Sequence, residues 1–356
     1  HLPILVFLKI LYRINYKYIY ESINLVRKKI PLNFQEHFLR SFFHARKIVP
    51  YILFNSINIK TYLSRMDYSV IHHCYASVCH DLDISFHGIS HSSSGSLGHV
   101  PQMSFVSFDY YYVNSISFVE KYYKTWINKN TKLVSTGPWR SDFIEDYSEE
   151  SIKNLRSKFV SDSVKYVIGI HLPVPGTYLF NNETVSKWMK CFHKILTIHD
   201  DCYFILFSRS DLKGKNSEKD EPNKIFNDYI KMIEDTGRSS LSSNYTDPSD
   251  GSYIWTKVLD LIIGCTFSDS VLESWVSGTP ACSYSDIGKG HAYLDSIDEN
   301  LRLYDCKSID KLLWLLKGMD WPPKSTENNL RTLFGSQYYG NAISIMLDNI
   351  ESSIKS

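Results

Sequence analysis

A hydroxyl-rich segment between a short apolar run and an amphipathic stretch is the part of this sequence best suited to bind an anion. The run Leu261 to Ile263 is long enough for a buried parallel strand, and the helical pattern after it ends at Gly278 and Pro280. A strand, a polar turn and a helix N-terminus together attract phosphate, and the hydroxyl side chains there are Thr266, Ser268 and Ser270. Ser270 and Glu273 also match the capping box S-x-x-E, which needs no ligand. The residues alone support both interpretations.

A second group of reactive side chains lies in the first half of the chain. A predicted strand, Leu82 to Phe86, delivers His87 and Gly88, and the Ser/Gly-rich loop that follows contains His91 and His99. A histidine at a strand end can act as a general base or bind phosphate, and a neighbouring glycine allows close backbone approach to a ligand. The alternative is a surface loop with a structural histidine.

Three further candidates follow predicted strand ends and carry an imidazole or a positive charge. Arg140 comes after the Gly137-Pro138 turn, and its planar guanidinium suits phosphate or carboxylate, although a surface pair with Asp142 is an alternative. His171 and Arg209 end two strands of the second half. Ligands of open parallel sheets bind at the carboxyl ends of the strands, so both could hold a nucleotide or its phosphates. His171 could equally cap its turn.

The cluster His72-His73-Cys74 with Cys79-His80 invites a zinc interpretation. Its spacing fits no common structural zinc pattern, and a strand would point His72 and His73 to opposite faces. We therefore expect core and surface positions here and no metal.

The elements that must position these side chains alternate between strands and helices. From Ile48 to Gly137 the pattern predicts a βα layered domain with a mostly parallel sheet. Its predicted strands are Tyr68 to His72, Leu82 to Phe86, Met103 to Phe108, Tyr111 to Val113 and Lys132 to Ser135.

A charged helical stretch, Ser148 to Lys158, joins this part to a second α/β half with strands at Lys165 to Ile170 and Cys202 to Phe207. The order predicts two α/β halves that face a central crevice. We place an N-terminal α/β domain with a helical leader at 1–147, a second α/β domain at 148–333 and a C-terminal helix that packs back across the domains at 334–356.

The composition excludes several classes of protein. The chain has 356 residues with 43% hydrophobic and 22% charged side chains, as in an ordinary globular protein. Its 39 Lys and Arg nearly balance its 38 Asp and Glu, so nothing indicates a nucleic-acid partner. Seven cysteines without framework spacing fit a reducing cytoplasm.

The first 47 or so residues show a helical and aromatic sequence pattern, with Lys and Arg interspersed. Such a stretch either lies on an anionic membrane surface or packs on its own domain. No apolar run approaches the ~20 residues needed to span a bilayer. The chain begins with His rather than Met, so we expect that it can be a piece of a longer polypeptide with other domains.

The order of these segments resembles that of GT-B glycosyltransferases that build bacterial surface polysaccharides such as capsule and lipopolysaccharide. Thr266 to Glu273, with Gly278-Thr279-Pro280, resembles the hydroxyl-rich turn, "lEal" helix and "G-x-P" of their nucleotide-sugar domains. The passage from Val113 through Gly137 to Asp142 is similar to their "vns…f…tG.pr.D".

Two shorter segments extend the resemblance. His87-Gly88 resembles the "HG" of the CDP-glycerol glycerophosphotransferase-like branch. The tail from Phe334 to Ile345 is similar to the closing "DGkA..ri" helix, with Tyr339 where Asp would stand. The Glu-x7-Glu of many retaining members is absent, since Ala281 follows Glu273 at that spacing.

The resemblance implies an α/β, GT-B-like fold with two Rossmann-like domains and sugar transfer from a nucleotide donor, either a UDP-sugar or CMP-Kdo as in retaining Kdo transferases. The acceptor would be a growing glycan or a lipid-linked glycan, and the enzyme would be cytoplasmic with peripheral contact to the inner membrane as an option. We expect no cofactor and no metal, because no D-x-D motif stands out.

The resemblance also assigns roles to the candidates. On the donor side we expect Ser268 and Ser270, with Thr266, on the phosphate, Glu273 on the ribose, and Arg209 with His171 on donor charge. The expected catalytic residues are His87, Asp83 and Asp109, and the expected acceptor or phosphate contacts are Gly88, His91 and Arg140. Two rival functions remain: a catalytically silent nucleotide-sugar or glycan-binding module of a larger enzyme, and a CDP-polyol phosphotransferase.

Overall fold

A computed structural model describes Tyr12, Tyr16 and residues 34–65, 71–90, 106–116, 130–143, 147–172, 182–207, 228, 230–242, 255–264, 269–284, 304–306 and 340–355. The chain divides into two compact units. Unit 1 comprises His1–His91, Leu97–Val134 and Ser344–Ser356, and unit 2 comprises Ser92–Ser96 and Ser135–Ile343. The division falls after Val134, whereas the sequence places it after residue 147.

The first sheet has the strand order β1-β2-β3-β4, with β1–β2 and β2–β3 parallel. Its elements in chain order are α1 (Phe34–Ile57), β1 (Thr61–Ser64), α2 (Ile71–Asp81), β2 (Ser85–Ile89), β3 (Tyr110–Val113) and β4 (Lys132–Ser135). Phe86, Phe108 and Tyr111 form the centre of its core, each at most 1% exposed. Phe54 of α1 and Val78 of α2 belong to the same core, so both helices cover the sheet.

Within the described residues, the second sheet has six strands in the order β10-β9-β8-β5-β6-β7, and their neighbouring pairs are parallel. Its strands are β5 (Tyr166–His171), β6 (Cys202–Phe207), β7 (Ser239–Ser242), β8 (Leu261–Gly264), β9 (Ala281–Tyr284) and β10 (Tyr304–Cys306). The accompanying helices are α3 (Glu149–Arg156), α4 (Asn182–Ile198), α5 (Trp255–Val258) and α6 (Asp269–Val276). The central strands are near-continuous apolar runs because such a sheet is buried on both faces.

Helix α4 shows how the sequence pattern produces this core. Trp188, Phe192 and Ile195 recur at helical spacing and are fully buried with Phe204 of β6. Trp188 and Phe192 pack edge to face with ring centroids 4.6 Å apart. The helix therefore buries one apolar face on the sheet.

Two short segments complete the described chain. A 3₁₀ helix spans Trp139–Phe143, and the last helix, α7, spans Ala342–Lys355. Both carboxylate oxygens of Asp142 accept hydrogen bonds from the first turn of α7, at 3.2 Å from Ala342 N and 2.7 Å from Ile343 N. Asp142 thus satisfies two of the N–H groups that a helix start leaves open.

Several predicted elements are confirmed, including the strands that became β4, β5 and β6 and the charged helix α3, whose N-cap is Ser148. The predicted strand Tyr68 to His72 is wrong at its end, because His72 lies in helix α2. Cys74 and Cys79 are buried in that helix, and His73 Nδ1 lies 2.8 Å from Ser107 Oγ. No zinc cluster involves these side chains within the described residues.

No helix among the described residues is long and apolar enough to cross a membrane.

Candidate functional site

The carboxyl ends of three central strands lie side by side in unit 2. His171, the last residue of β5, is in register with Gly264 at the end of β8 and with Phe207 at the end of β6. Helix α6 begins at Asp269, shortly after β8 ends. This edge is where a parallel sheet offers a ligand site, and the helix N-terminus next to it would favour an anion.

His171 contributes an imidazole to this edge but no positive charge. Its ring stacks on Phe207 with centroids 5.0 Å apart. Burial lowers the pKa of His171 to about 3, because the charged form would lose its hydration. The side chain is therefore neutral at physiological pH and can offer hydrogen bonds only.

Helix α6 places a buried carboxylate in an ion pair. Glu273 is only 5% exposed, and its Oε1 lies 3.1 Å from Arg140 Nη1. The Arg140 guanidinium also lies over the Trp139 ring, 5.0 Å from the ring centroid. The structure thus brings together two residues that the sequence analysis assigned to different substrates.

This pairing changes what each residue can do. Arg140 binds the Glu273 carboxylate through Oε1, and the pair compensates the buried negative charge. The predicted contact of Arg140 with the acceptor or a phosphate stays a prediction beside this ion pair. The backbone of Glu273 also accepts from Ser277 N at 3.0 Å and from Ser277 Oγ at 2.7 Å.

The other predicted donor residues are Arg209, Thr266, Ser268 and Ser270. Arg209, Thr266 and Ser268 lie outside the described residues, and Ser270 is described as part of α6 without its side chain. In the chain, Arg209 follows the end of β6, and Thr266 and Ser268 fall between β8 and α6. The assignment of these residues to donor binding stays a prediction.

Sequence reasoning missed the network that anchors β8. Arg156 of α3 donates to Asp260 Oδ2 at 2.6 Å and to the carbonyl of Val258 at 2.6 Å. Asp260 Oδ2 also accepts from Val167 N at 2.9 Å, which ties β8 to β5 just before both strands enter the core. The only sequence signal was a carboxylate immediately before an apolar run, and its partner is about a hundred residues away.

In unit 1, His87 lies inside β2 and not after it. The ring is fully buried and stacks on Tyr110 with centroids 4.6 Å apart and an interplanar angle of 3°. Nδ1 is 2.8 Å from the Tyr112 hydroxyl, and Nε2 is 2.9 Å from Ser85 Oγ and 3.1 Å from Ser353 Oγ. Both ring nitrogens therefore have hydrogen-bond partners within the protein.

The surroundings of His87 also affect its charge. Burial lowers the pKa of His87 to about 4, and the nearby Asp109 carboxylate opposes this shift only in part. Tyr112, its partner at Nδ1, also reaches the carbonyl of Met346 at 3.3 Å. The imidazole is thus a neutral member of a network that joins β2, β3 and α7.

Gly88 packs closely against an aromatic ring. A Cβ at this position would lie 2.3 Å from Cδ2 of Phe108, so no larger residue fits here without a shift of that ring. Contact between Gly88 and a ligand stays a prediction. His91, the other predicted contact in this region, lies outside the described residues.

The two carboxylates predicted as catalytic precede their strands. Asp83 is exposed in the turn before β2 and has a positive φ of 56°. Asp109 comes before β3, where its Oδ2 accepts from Phe86 N at 2.8 Å. Both lie at the amino edge of the sheet, because β2 begins at Ser85 rather than at the predicted Leu82 and β3 begins at Tyr110, directly after Asp109. At that edge Asp109 serves as a backbone acceptor.

Comparisons with known proteins detect the fold but no sequence family. No family model matches the chain, and no curated protein matches it in sequence. The structure is similar to a protein assigned as a UDP-N-acetylglucosamine 2-epimerase from Listeria monocytogenes, with a TM-score of 0.59 and 11% identity. That match covers 88% of this chain and 79% of the other.

Two transferase-type structures are also similar. A variant of the wall teichoic acid polymerase TagF gives a TM-score of 0.54 at 14% identity, over 83% of this chain and 73% of TagF. A glycosyltransferase from Rickettsia africae gives 0.50 at 11% identity, over 94% and 88%. These likenesses show that the fold is α/β and of the GT-B type, as predicted.

Proposed function

We propose that this chain is a glycosyltransferase that moves a sugar from a nucleotide donor to a growing surface-glycan acceptor, without a metal in the transfer step. The observation that carries the proposal is the carboxyl edge of the unit 2 sheet. There His171 lies in register with Gly264, and α6 follows with the buried Glu273.

This edge suits the chemistry of a nucleotide leaving group. Negative charge develops on the departing phosphate, and the N-terminal N–H groups of α6 are oriented to stabilise it. Arg209, close after β6 in the chain, would add a cation. Ser268 and Ser270 would bind phosphate oxygens, and Glu273 would accept hydrogen bonds from the ribose hydroxyls while Arg140 holds its other oxygen.

The donor we propose is a UDP-sugar or CMP-Kdo. One structurally similar protein bears UDP-N-acetylglucosamine in its name and another is called a glycosyltransferase, which supports a nucleotide-sugar. For the acceptor we propose a glycan or lipid-linked glycan of capsule or lipopolysaccharide. The chain would bind it in the cytoplasm, at the inner membrane.

A donor panel tests this proposal. The purified chain is incubated with UDP-sugars, CMP-Kdo and CDP-glycerol, and release of UDP or CMP is measured by chromatography. We expect turnover of one donor class and a loss of at least tenfold in Glu273→Gln. Glu183→Gln is a matched control, because Glu183 lies in an exposed i,i+4 pair with Lys187, 3.0 Å apart. If the chain neither binds nor turns over any donor, the proposed enzyme activity is contradicted and a different role is favoured.

A CDP-polyol phosphotransferase is the second candidate, favoured by the likeness to the teichoic acid polymerase and by the His87-Gly88 pair. To act on a substrate, the His87 imidazole would have to break its hydrogen bond to Tyr112 or to Ser353 and form one to the substrate. Release of CMP from CDP-glycerol, lost in His87→Ala, would favour this candidate. A fully active His87→Ala would remove His87 from the mechanism. Nucleotide binding without turnover would instead indicate a catalytically silent binding module.

A further inference from the structure

A cluster of metal-ligating side chains lies in unit 2 where α4 leads into β6. One ligand atom from each of His199, Asp201 and Cys202 lies within 4.8 Å of the others. The helix ends at Ile198 and the strand begins at Cys202, so all three come from one tight connection. Three different ligand types at this separation are close enough to share one ion.

The burial of this cluster indicates that its polar atoms require a partner. His199 is 6% exposed and Cys202 is fully buried. The Nε2 atom of His199 is buried, and no hydrogen-bond partner faces it within the described residues. A buried polar atom left in this way costs about 1–3 kcal/mol. The thiol of Cys202 reaches Asp201 Oδ1 only at 3.6 Å, and a thiol is a weak donor.

The backbone of the connection is held firmly from outside the cluster. Arg238 donates to the carbonyl oxygen of His199 and, at 2.8 Å, to that of Leu196. These bonds fix the end of α4 and therefore the position of the imidazole. Ligands that are held in place before binding lose less conformational entropy when an ion arrives.

The chemistry of the ligand set selects the class of ion. Thiolate, imidazole and carboxylate are the ligands of zinc-like divalent ions, whereas calcium and magnesium prefer oxygen alone. We propose that His199, Asp201 and Cys202 bind one zinc-class divalent ion, with solvent in the remaining position. On binding, a metal–sulfur bond replaces the S–H bond of Cys202, and the proton leaves to solvent.

Charge balance supports this ligand set. The thiolate and the carboxylate together carry two negative charges, which offset the two positive charges of the ion. Burial raises the pKa of the Cys202 thiol in the metal-free protein to about 12; Asp201 adds to this shift and Arg238 opposes it. The ion therefore has to displace a proton that the metal-free protein holds tightly.

The site is separate from the proposed donor site. Cys202 begins β6 and Phe207 ends it, and β6 is parallel to β5. The cluster therefore lies at the amino edge of the sheet, whereas His171 lies at the carboxyl edge, about 16–17 Å away along a strand of this length. The ion would stabilise the start of β6 and take no part in sugar transfer.

Metal loading of the full chain tests the inference. Untagged protein is stripped with a chelator and dialysed against Zn²⁺, and bound zinc is measured by mass spectrometry. We expect about one ion per chain and a higher midpoint of urea unfolding. With Co²⁺ we expect a thiolate-to-cobalt charge-transfer band that disappears in Cys202→Ser. We also expect at least tenfold weaker binding in His199→Ala and Asp201→Asn.

Two control variants carry the same residue types outside the cluster. His193→Ala in α4 and Asp200→Asn in the same connection should bind metal as the wild type does. A chain that binds no zinc, or a charge-transfer band that persists in Cys202→Ser, would overturn the proposal. Should Cys202→Ser fail to fold, Asp201→Asn decides, since Asp201 is partly exposed and unchanged zinc affinity there would also overturn it.

Discussion

The Arg140–Glu273 ion pair joins two side chains of different exposure. Its carboxylate is almost fully buried while its guanidinium is about one-fifth exposed. Removing the charge on one side leaves the other poorly solvated, which costs more than the pair itself contributes. The pair therefore matters for stability as well as for the proposed ribose contact.

Glu273→Gln should lower the free energy of unfolding by about 1–3 kcal/mol, because Arg140 loses its carboxylate partner. Urea unfolding followed by tryptophan fluorescence measures the change. Glu183→Gln, which removes the exposed partner of Lys187, should change stability by less than about 0.5 kcal/mol. Equal changes in the free energy of unfolding would show that the buried ion pair stabilises the protein no more than the exposed one.

At this scale the sequence predicted residue types better than partners. Arg140 and Glu273 were both selected as candidates, yet they are 133 positions apart in the chain and nothing local joins them. Gly88 was selected for closeness to a ligand, but its neighbour is Phe108. Side-chain partners across a fold depend on tertiary packing, which a single sequence does not display.

Among the elements, the start of α7 depends on a residue far away in the chain. Asp142 accepts two backbone N–H groups there, from Ala342 and Ile343. From the sequence, Asp142 is a surface partner of Arg140 or the Asp that ends the family-like passage, and its role as a helix cap depends on tertiary structure. As an acceptor at a helix N-terminus it also complements the positive end of the helix dipole.

Asp142→Ala should destabilise the protein by about 1 kcal/mol, because two N–H groups of α7 lose their acceptor. Asp142→Asn keeps one oxygen and should lose less. Hydrogen exchange at the first turn of α7 measures the local effect, and faster exchange is expected there in Asp142→Ala. Unchanged exchange in both variants would mean that the cap contributes nothing.

Strand positions were predictable where an apolar run was bounded by turns on both sides. The runs that became β5 and β6 are of this kind. The error at β2 arose because Leu82 and Ile84 extend the apolar pattern back into the turn after α2. Both side chains pack on the core of the first sheet without belonging to the strand, so hydrophobicity alone gave the wrong start.

Across the whole molecule, buried neutral histidines link stability to pH. The pKa of His87 is lowered to about 4 by burial, whereas a histidine in an unfolded chain titrates near 6.5. Below about pH 6.5 the unfolded chain takes up a proton that the folded chain refuses, so folding weakens as the pH falls. Protonation of the folded form at about pH 4 ends this dependence.

As the pH falls from 6.5 to about 4, His87 alone should raise the unfolding equilibrium constant about tenfold per pH unit. Urea unfolding at several pH values gives the slope. His87→Gln removes the titrating group and keeps hydrogen-bonding capacity, so its slope should be smaller in this window. Identical slopes for wild type and variant would show that His87 is not the group responsible. His171 is present in both the wild type and the variant, so it contributes equally to both slopes.

The hydrogen bond between His87 and Ser353 has a consequence for how the protein is made. Unit 1 is built from the beginning of the chain together with its segment Ser344–Ser356. A ribosome releases these residues long after it has synthesised β2. During translation the His87 imidazole therefore has no Ser353 partner until the end of this sequence is made. The described strands of unit 2 are synthesised before that. Vectorial synthesis thus favours completion of the second unit before the first.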